Sequence, residues 1–91
     1  MKPQFKEQKT TKDYITHVML HGERIIPSDS FEIGENEYIL LQILKSSDDN
    51  LYLRIMGING LNFGNIYVIP RNDFEEKNLY EIESHLTHYQ Y

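Results

Sequence analysis

The sequence predicts a small α+β domain in which an antiparallel β-meander is followed by a C-terminal helix. Residues 37 to 45 and 51 to 69 are rich in β-branched and aromatic side chains, which favour strands, and a polar turn segment separates them. Asn59-Gly60 interrupts the second run with the residue pair that two-residue hairpin turns prefer. Towards the C-terminus the apolar residues recur at helical spacing. The alternative architecture is a small SH3-like barrel with a terminal helix.

Length and composition limit the classes of protein that the chain can belong to. A chain of 91 residues is long enough for one core and too short for a core with an enclosed catalytic cleft. It has no cysteine, which excludes disulfides and thiolate metal sites and fits a reducing compartment. It contains no apolar run long enough for a membrane span and starts with a polar segment, so we expect a cytoplasmic protein.

Charge divides the chain into two parts. Residues 1 to 12 carry four lysines against one glutamate and lack hydrophobic periodicity, so we expect a flexible basic arm. Removing their charge of +3 from the net charge of −5 leaves −8 on residues 13 to 91, the predicted globular domain. An acidic body repels phosphate backbones and complements a basic protein surface. Direct binding of nucleic acid is therefore disfavoured.

The first part of the predicted domain is compatible with two structures. The apolar side chains of residues 14 to 19 would share one face of a helix, with Gly22 at its C-terminal end. The same stretch is rich in strand-forming residues, and His21-Gly22 could turn it into a second strand at residues 23 to 26. We favour the strand pair over the helix.

The meander begins after turn-forming residues that flank a short strand at residues 31 to 33. A long strand follows at residues 37 to 45, and the loop after it pairs Lys45 with Leu51. The further partners that this register predicts are Leu44 with Tyr52, Ile43 with Leu53 and Leu41 with Ile55. A type I′ turn at Asn59-Gly60 extends the register to a third strand.

The predicted turn at Asn59-Gly60 leaves both faces of the meander largely apolar. Its pairs are Ile58 with Leu61, Met56 with Phe63, Arg54 with Asn65, Leu53 with Ile66, Tyr52 with Tyr67 and Leu51 with Val68. Each apolar face needs cover from this chain or from a partner. A helix at residues 73 to 86, capped by Asn72 and Glu75, would bury Leu79, Ile82 and Leu86 on one face. The N-terminal strand pair or a second molecule would cover the other face.

No arrangement of residues predicts catalysis or metal binding. His17 with His21 and His85 with His88 have the spacing of helical metal ligands, but a strand would separate the first pair by about 13 Å. The paired acids fall in predicted turns or on a solvated helix, where general acid and base catalysis has no support. The glycines of residues 57 to 64 match no phosphate-binding motif. We expect no enzyme activity, no metal site and no cofactor.

The sequence instead predicts a protein that binds another protein through an apolar hairpin tip and acidic side chains. The expected binding residues are Met56, Ile58, Leu61, Phe63, Asp48, Asp49, Glu75 and Glu76. The expected partner is a protein with a basic surface, or a second copy in a homodimer. Residue types with AT-rich codons are abundant, which is typical of a low-GC bacterium or its phage.

This combination suggests an inhibitor from a phage or mobile element that acts on a host nucleic-acid-processing protein, as DNA mimics and anti-CRISPR proteins do. Carboxylates would then imitate the charge of phosphates. The alternative is a small-barrel module that binds nucleic acid or another ligand with the basic arm and with Tyr52, Phe63 and Tyr67.

Overall fold

The computed structural model describes residues 17 to 47 and 49 to 91, which form two antiparallel sheets and short helices. The smaller sheet consists of β1 (Val18–Leu20) and β2 (Glu23–Ile25). The larger sheet contains, in spatial order, β3 (Ser30–Ile33), β4 (Asn36–Lys45), β5 (Leu51–Gly57) and β6 (Ile66–Pro70). After β6 come α1 (Arg71–Glu76), α2 (Leu79–Ser84) and α3 (Leu86–Tyr89). The predicted α+β meander is confirmed, and the described strands close no barrel.

The predicted N-terminal strand pair is confirmed from Val18 onward. Leu20 pairs with Glu23, so His21 and Gly22 alone connect the two strands. Both turn residues have positive φ, 49° and 85°, as a type I′ turn requires. The helical alternative is therefore wrong for the part of this segment that the structure describes. The predicted basic arm, residues 1 to 12, lies outside the described residues.

A β-bulge in β4 changes the side-chain alternation of the longest strand. The predicted pairs Lys45–Leu51, Leu44–Tyr52 and Ile43–Leu53 all form. Beyond Gln42 the register shifts by one residue at Leu41, so that Leu40 pairs with Ile55. The predicted pairing of Leu41 with Ile55 is wrong, because the bulge inserts an extra residue on one strand.

The predicted two-residue turn at Asn59-Gly60 is wrong. Asn59 has an extended φ of −156°, and Gly60 begins a short 3₁₀ turn, Gly60–Asn62. The observed pairs of β5 with β6 are Met56–Ile66, Ile55–Tyr67, Arg54–Val68, Leu53–Ile69 and Tyr52–Pro70. This register differs from the predicted one by three residues, an odd number, which moves β6 side chains to the opposite face of the sheet.

These two corrections place most of the buried apolar side chains of the larger sheet on one inner face, while buried Leu44 and Val68 lie on the outer face. The inner face carries Tyr38, Leu40, Ile43, Leu53, Ile55, Tyr67 and Ile69, all of them buried. Val18, Leu20 and Ile25 of the strand pair belong to the same core as the helix residues Phe74, Ile82 and Leu86. The strand pair therefore joins the helices in the core of the inner face, instead of covering the opposite, outer face as predicted.

The single predicted helix at residues 73 to 86 is replaced by three shorter helices. Asn78 lies between α1 and α2, and its side chain accepts a hydrogen bond from the Glu81 N–H at 2.8 Å. Asparagine competes with helical bonding in this way, so the second helix starts anew at Leu79. The predicted cap at Asn72 is wrong, because α1 begins directly after Pro70 without a side-chain cap.

The helical segment retains its predicted apolar side. Ile82 and Leu86 are buried in the core, and Leu79 packs against it while partly exposed. Within the described residues, no helix has the length and apolarity needed to cross a membrane.

The hydroxyl of Tyr89 connects α3 to α1 and gives the fold a measurable pH dependence. It donates a hydrogen bond to Asp73 Oδ2 at 2.9 Å. Burial, and then the hydrogen bond and charge of Asp73, raise the pKa of Tyr89 to about 12. An unfolded tyrosine has a pKa of about 10, so above that pH the unfolded chain releases a proton that the native state retains. This contribution to stability is complete below about pH 10 and is lost as the pH rises through about 12.

We therefore predict that the free energy of unfolding of the wild type falls more steeply between about pH 10 and about pH 12 than that of Tyr89→Phe. Urea titrations at a series of alkaline pH values measure both slopes. Equal slopes in the two proteins would show that Tyr89 titrates alike in the native and unfolded states.

Candidate functional site

The connection between β5 and β6 is an ordered loop, residues 57 to 65, which we call the tip loop. Its ends are joined by hydrogen bonds from Gly57 N–H to Asn65 O at 3.0 Å and from Gly64 N–H to Gly57 O at 2.9 Å. A Cβ atom at position 57 would overlap the carbonyl oxygen of Asn62, so the loop closes tightly only over a glycine. The backbone of the tip loop therefore has a defined path.

Asn59 attaches the tip loop to the start of β4. Its Oδ1 accepts a hydrogen bond from the Glu37 N–H at 2.7 Å, and its Nδ2 donates to Glu37 Oε1 at 3.0 Å. The backbone N–H of Ile58 adds a bond to Glu37 O at 2.9 Å. These three bonds join two segments that are far apart in sequence, and they hold the loop against the sheet.

Asn62 attaches the other side of the tip loop to the core. Its Nδ2 donates to the hydroxyl of Tyr38 at 2.7 Å. The Tyr38 ring is fully buried, stacks on Phe31 with the ring centres 6.0 Å apart and meets the edge of Tyr67. Burial raises the pKa of Tyr38, and the hydrogen bond from Asn62 partly opposes the shift. A neutral, well-packed phenol is thus the anchor of the loop.

Two large apolar side chains project from this anchored loop. Leu61 is 94% exposed and Phe63 is 72% exposed, the largest exposures among the big hydrophobic residues of the described chain apart from Tyr80 at 77%. Single exposed hydrophobic residues are common on soluble proteins, but two within three positions on an ordered loop form an apolar projection. We call Leu61 and Phe63 the tip pair.

Met56 and Ile58, the other two predicted apolar binding residues, are only half-buried, and they do not have the predicted partners. Met56 pairs with Ile39 and Ile66 on the outer face of the sheet, instead of facing Phe63. Ile58 precedes the 3₁₀ turn and does not face Leu61 across a two-residue turn. The tip pair thus provides the most exposed part of the predicted apolar group.

Among the described residues, the predicted acidic side chains have separate surroundings. Asp49 forms an ion pair with Lys45 at 3.5 Å, next to Asp48, which lies outside the described residues. Glu75 accepts a hydrogen bond from the Met19 N–H at 2.9 Å and lies 4.0 Å from Arg71. Glu75 therefore has a structural task in joining α1 to β1, while its neighbour Glu76 is exposed.

Tyr52 and Tyr67, two of the aromatic residues named for nucleic-acid binding, lie on opposite faces of the sheet. Tyr67 lies on the inner face and is 3% exposed, whereas Tyr52 lies on the outer face opposite Pro70. The His85 and His88 rings meet edge to face with centres 5.6 Å apart. In residues 17 to 47 and 49 to 91, no three histidine or carboxylate side chains come together as metal ligands.

Sequence reasoning did not identify the acidic pair Glu32 and Glu37, which lie directly opposite each other in β3 and β4. The turn at Gly34-Glu35 carries the signal, because a two-residue connection pairs Ile33 with Asn36 and therefore Glu32 with Glu37. The exposed side chain of Tyr80 on α2 was also not identified, because its position in the sequence did not indicate that it would be exposed.

Comparison of this chain with protein-family models, with curated proteins and with solved structures finds no significant match.

The tip loop predicts a specific cost for substitution at Gly60. Its φ is +70°, and a Cβ atom there would overlap the side chain of Asn36. We expect Gly60→Val to lower the free energy of unfolding by about 1 to 3 kcal/mol, since a β-branched residue resists positive φ. Gly64→Val is the matched control, because Gly64 has a φ of +81° with open space around its Cβ position. The control should be less destabilised in chemical denaturation, and an equal loss would show that Asn36 contributes nothing.

Proposed function

We propose that this protein is a non-enzymatic binding module whose tip pair inserts into an apolar cleft of a partner protein. The observation that carries the proposal is the exposure of Leu61 and Phe63 on a loop that three side-chain hydrogen bonds attach to β4. A few well-packed side chains near the centre of an interface contribute most of its binding energy. The tip pair is the part of the described surface that best fits this role.

The attachment of the tip loop supports binding as much as the exposure does. A loop that is ordered before binding loses little conformational entropy on association, which improves affinity without any new contact. Asn59 and Asn62 provide this order, since their side chains bond to Glu37 and Tyr38. A flexible loop with the same two side chains would bind more weakly.

Charge supports a partner with a basic rim around its apolar cleft. Residues 13 to 91 carry a formal charge of −8, and Glu37 lies at the base of the tip loop. Complementary charge at the rim of an interface speeds association and selects among partners. The proposed module would therefore favour basic proteins, including the nucleic-acid-processing proteins that a phage or mobile-element inhibitor would act on.

We predict that the double substitution Leu61→Ser and Phe63→Ser removes partner binding and leaves thermal unfolding nearly unchanged, because both side chains are exposed. The matched control is Tyr80→Ser, which removes a similarly exposed aromatic side chain from α2. Quantitative affinity capture with the three proteins, read by mass spectrometry, should find proteins that wild type and Tyr80→Ser retain and the double variant loses.

The oligomeric state completes this test. If light scattering shows a dimeric wild type and a monomeric double variant, the partner of the tip pair is a second copy of this chain. If the double variant unfolds, or captures the same proteins as wild type, the tip pair is not a binding surface.

A second prediction concerns the acidic charge. Once a partner is captured, its association rate should fall as salt rises from about 0.05 to about 0.5 M, because screening shortens the range of the attraction. Dissociation should change less, since the apolar contacts of the tip pair are insensitive to screening. Stopped-flow or surface-based kinetics measures both rates, and an association rate independent of salt would remove the electrostatic part of the proposal.

A further inference from the structure

The chain covers two of its strand edges with its own groups. At the free side of β6, Gln90 forms an antiparallel bridge with Tyr67, and the Tyr91 N–H donates to Ile66 O at 3.0 Å. At the free side of β1, the carboxylate of Glu75 accepts the Met19 N–H at 2.9 Å. Such coverage prevents unpaired backbone groups from pairing with other chains.

The edge of β3 is different. The pair Ile33–Asn36 flanks the two-residue turn between β3 and β4 and is therefore a hydrogen-bonded pair. At the other end of β3, the Leu40 N–H donates to Asp29 O at 3.0 Å. Because bonded and non-bonded pairs alternate along an antiparallel ladder, the N–H and C=O groups of Ser30 and Glu32 point away from β4. Among the described residues these groups have no hydrogen-bond partner.

A groove runs along this open edge. Its volume is about 400 Å³, within the range of small binding sites. Its walls are formed by β3, the β1–β2 turn and the start of α2, through Leu20, His21, Glu23, Ser30, Phe31, Glu32, Glu37 and Leu79. The groove therefore has an unpaired strand on one side, apolar side chains at its base and carboxylates at its rim.

The charges around the groove are unbalanced. Glu32 and Glu37 lie directly opposite each other across β3 and β4, and Glu23 lies on the facing wall. Like charges opposite each other in a sheet are destabilising. No described lysine or arginine forms an ion pair with any of the three. A cationic side chain placed beside Glu32 would relieve this repulsion.

We propose that the open edge of β3 binds an extended, basic segment of a partner protein as an added strand. Backbone groups of Ser30 and Glu32 supply the hydrogen bonds of the new ladder, as in other cases of strand addition. This site is separate from the tip pair and does not depend on it. A second copy pairing through its own β3 is disfavoured, because the Glu32 carboxylates of both copies would then approach each other.

The two sides of β3 determine the pattern of the bound segment. Side chains of an added strand alternate between the side of Glu32 and the side of Phe31. On the first side the carboxylates of Glu32 and Glu37 select lysine or arginine. On the second side the groove presents the apolar side chains of Leu20 and Phe31, which favour apolar residues. The segment should therefore alternate basic with apolar residues.

A five-residue peptide of alternating valine and lysine, blocked at both ends, is the probe. On its addition we expect the backbone amides of Ser30 and Glu32 to shift in nitrogen–proton correlation spectra, and their hydrogen exchange to slow by about tenfold. Two control peptides isolate the causes: glutamate in place of lysine reverses the charge, and methylation of every amide removes the donors. Neither control peptide should slow the hydrogen exchange of the Ser30 and Glu32 amides.

Protein variants complete the test. We expect Glu32→Lys to weaken binding of the lysine peptide by about tenfold, since it places a like charge at the centre of the site. Glu81→Lys makes the same charge change at an exposed position of α2 that does not line the groove, and should bind like wild type. Glu32→Gln, which changes charge without changing shape, should weaken binding by less and remain folded.

Several results would overturn the proposal. If the methylated peptide binds as tightly as the unmethylated lysine peptide, charge attraction without strand addition explains the binding. Equal weakening by Glu32→Lys and Glu81→Lys would mean attraction to the whole acidic body. Protection of Ser30 and Glu32 that grows with protein concentration in the absence of peptide would show that a second copy occupies the edge. The double variant of the tip pair should bind the peptide normally, so failure of one proposed site is distinguishable from failure of the other.

Discussion

The bulge at Leu41 is the constraint on which the rest of the structure depends. In a regular ten-residue strand, Ile43 would lie on the face opposite to Tyr38 and Leu40. The extra residue shifts the alternation, so that Tyr38 and Leu40 at one end and Ile43 at the other all point to the inner face. The inner face then packs against both the strand pair and the helices in one core.

The same arrangement connects the core to the tip pair. Tyr38 is buried between Phe31 and Tyr67, and its hydroxyl accepts the hydrogen bond that holds Asn62. Packing of the Tyr38 ring fixes the position of its hydroxyl, and the hydrogen bond from Asn62 to this hydroxyl holds the tip loop. This explains how two large apolar side chains can remain exposed without local collapse, because the loop's polar side chains are already bonded to β4.

The distribution of carboxylates separates structural acids from those available for binding. Glu75 and Asp73 are used within the fold, where they accept bonds from Met19 N–H and the Tyr89 hydroxyl. Glu32 forms no such bond among the described residues and stands opposite Glu37 beside an open strand edge. Net charge alone does not distinguish these roles, since each residue contributes equally to the total. The position of each carboxylate relative to unpaired backbone groups does distinguish them.

The sequence by itself determined the order and type of most elements, because turn residues and apolar periodicity act locally. It placed the strand pair, the long strand, the register near Lys45 and the buried residues Ile82 and Leu86. Only the tertiary structure decided the bulge and the nine-residue tip loop in place of a turn at Asn59-Gly60, whereas the restart of the helix at Asn78 is a local effect of its bond from the Glu81 N–H. In the tip loop, long-range contacts outweigh the local preference: Asn59 bonds to Glu37 and Asn62 to Tyr38, both on a strand more than twenty residues earlier. Exposure of the tip pair follows from those contacts, which no local pattern encodes, and the open edge of β3 follows from its terminal place in the sheet.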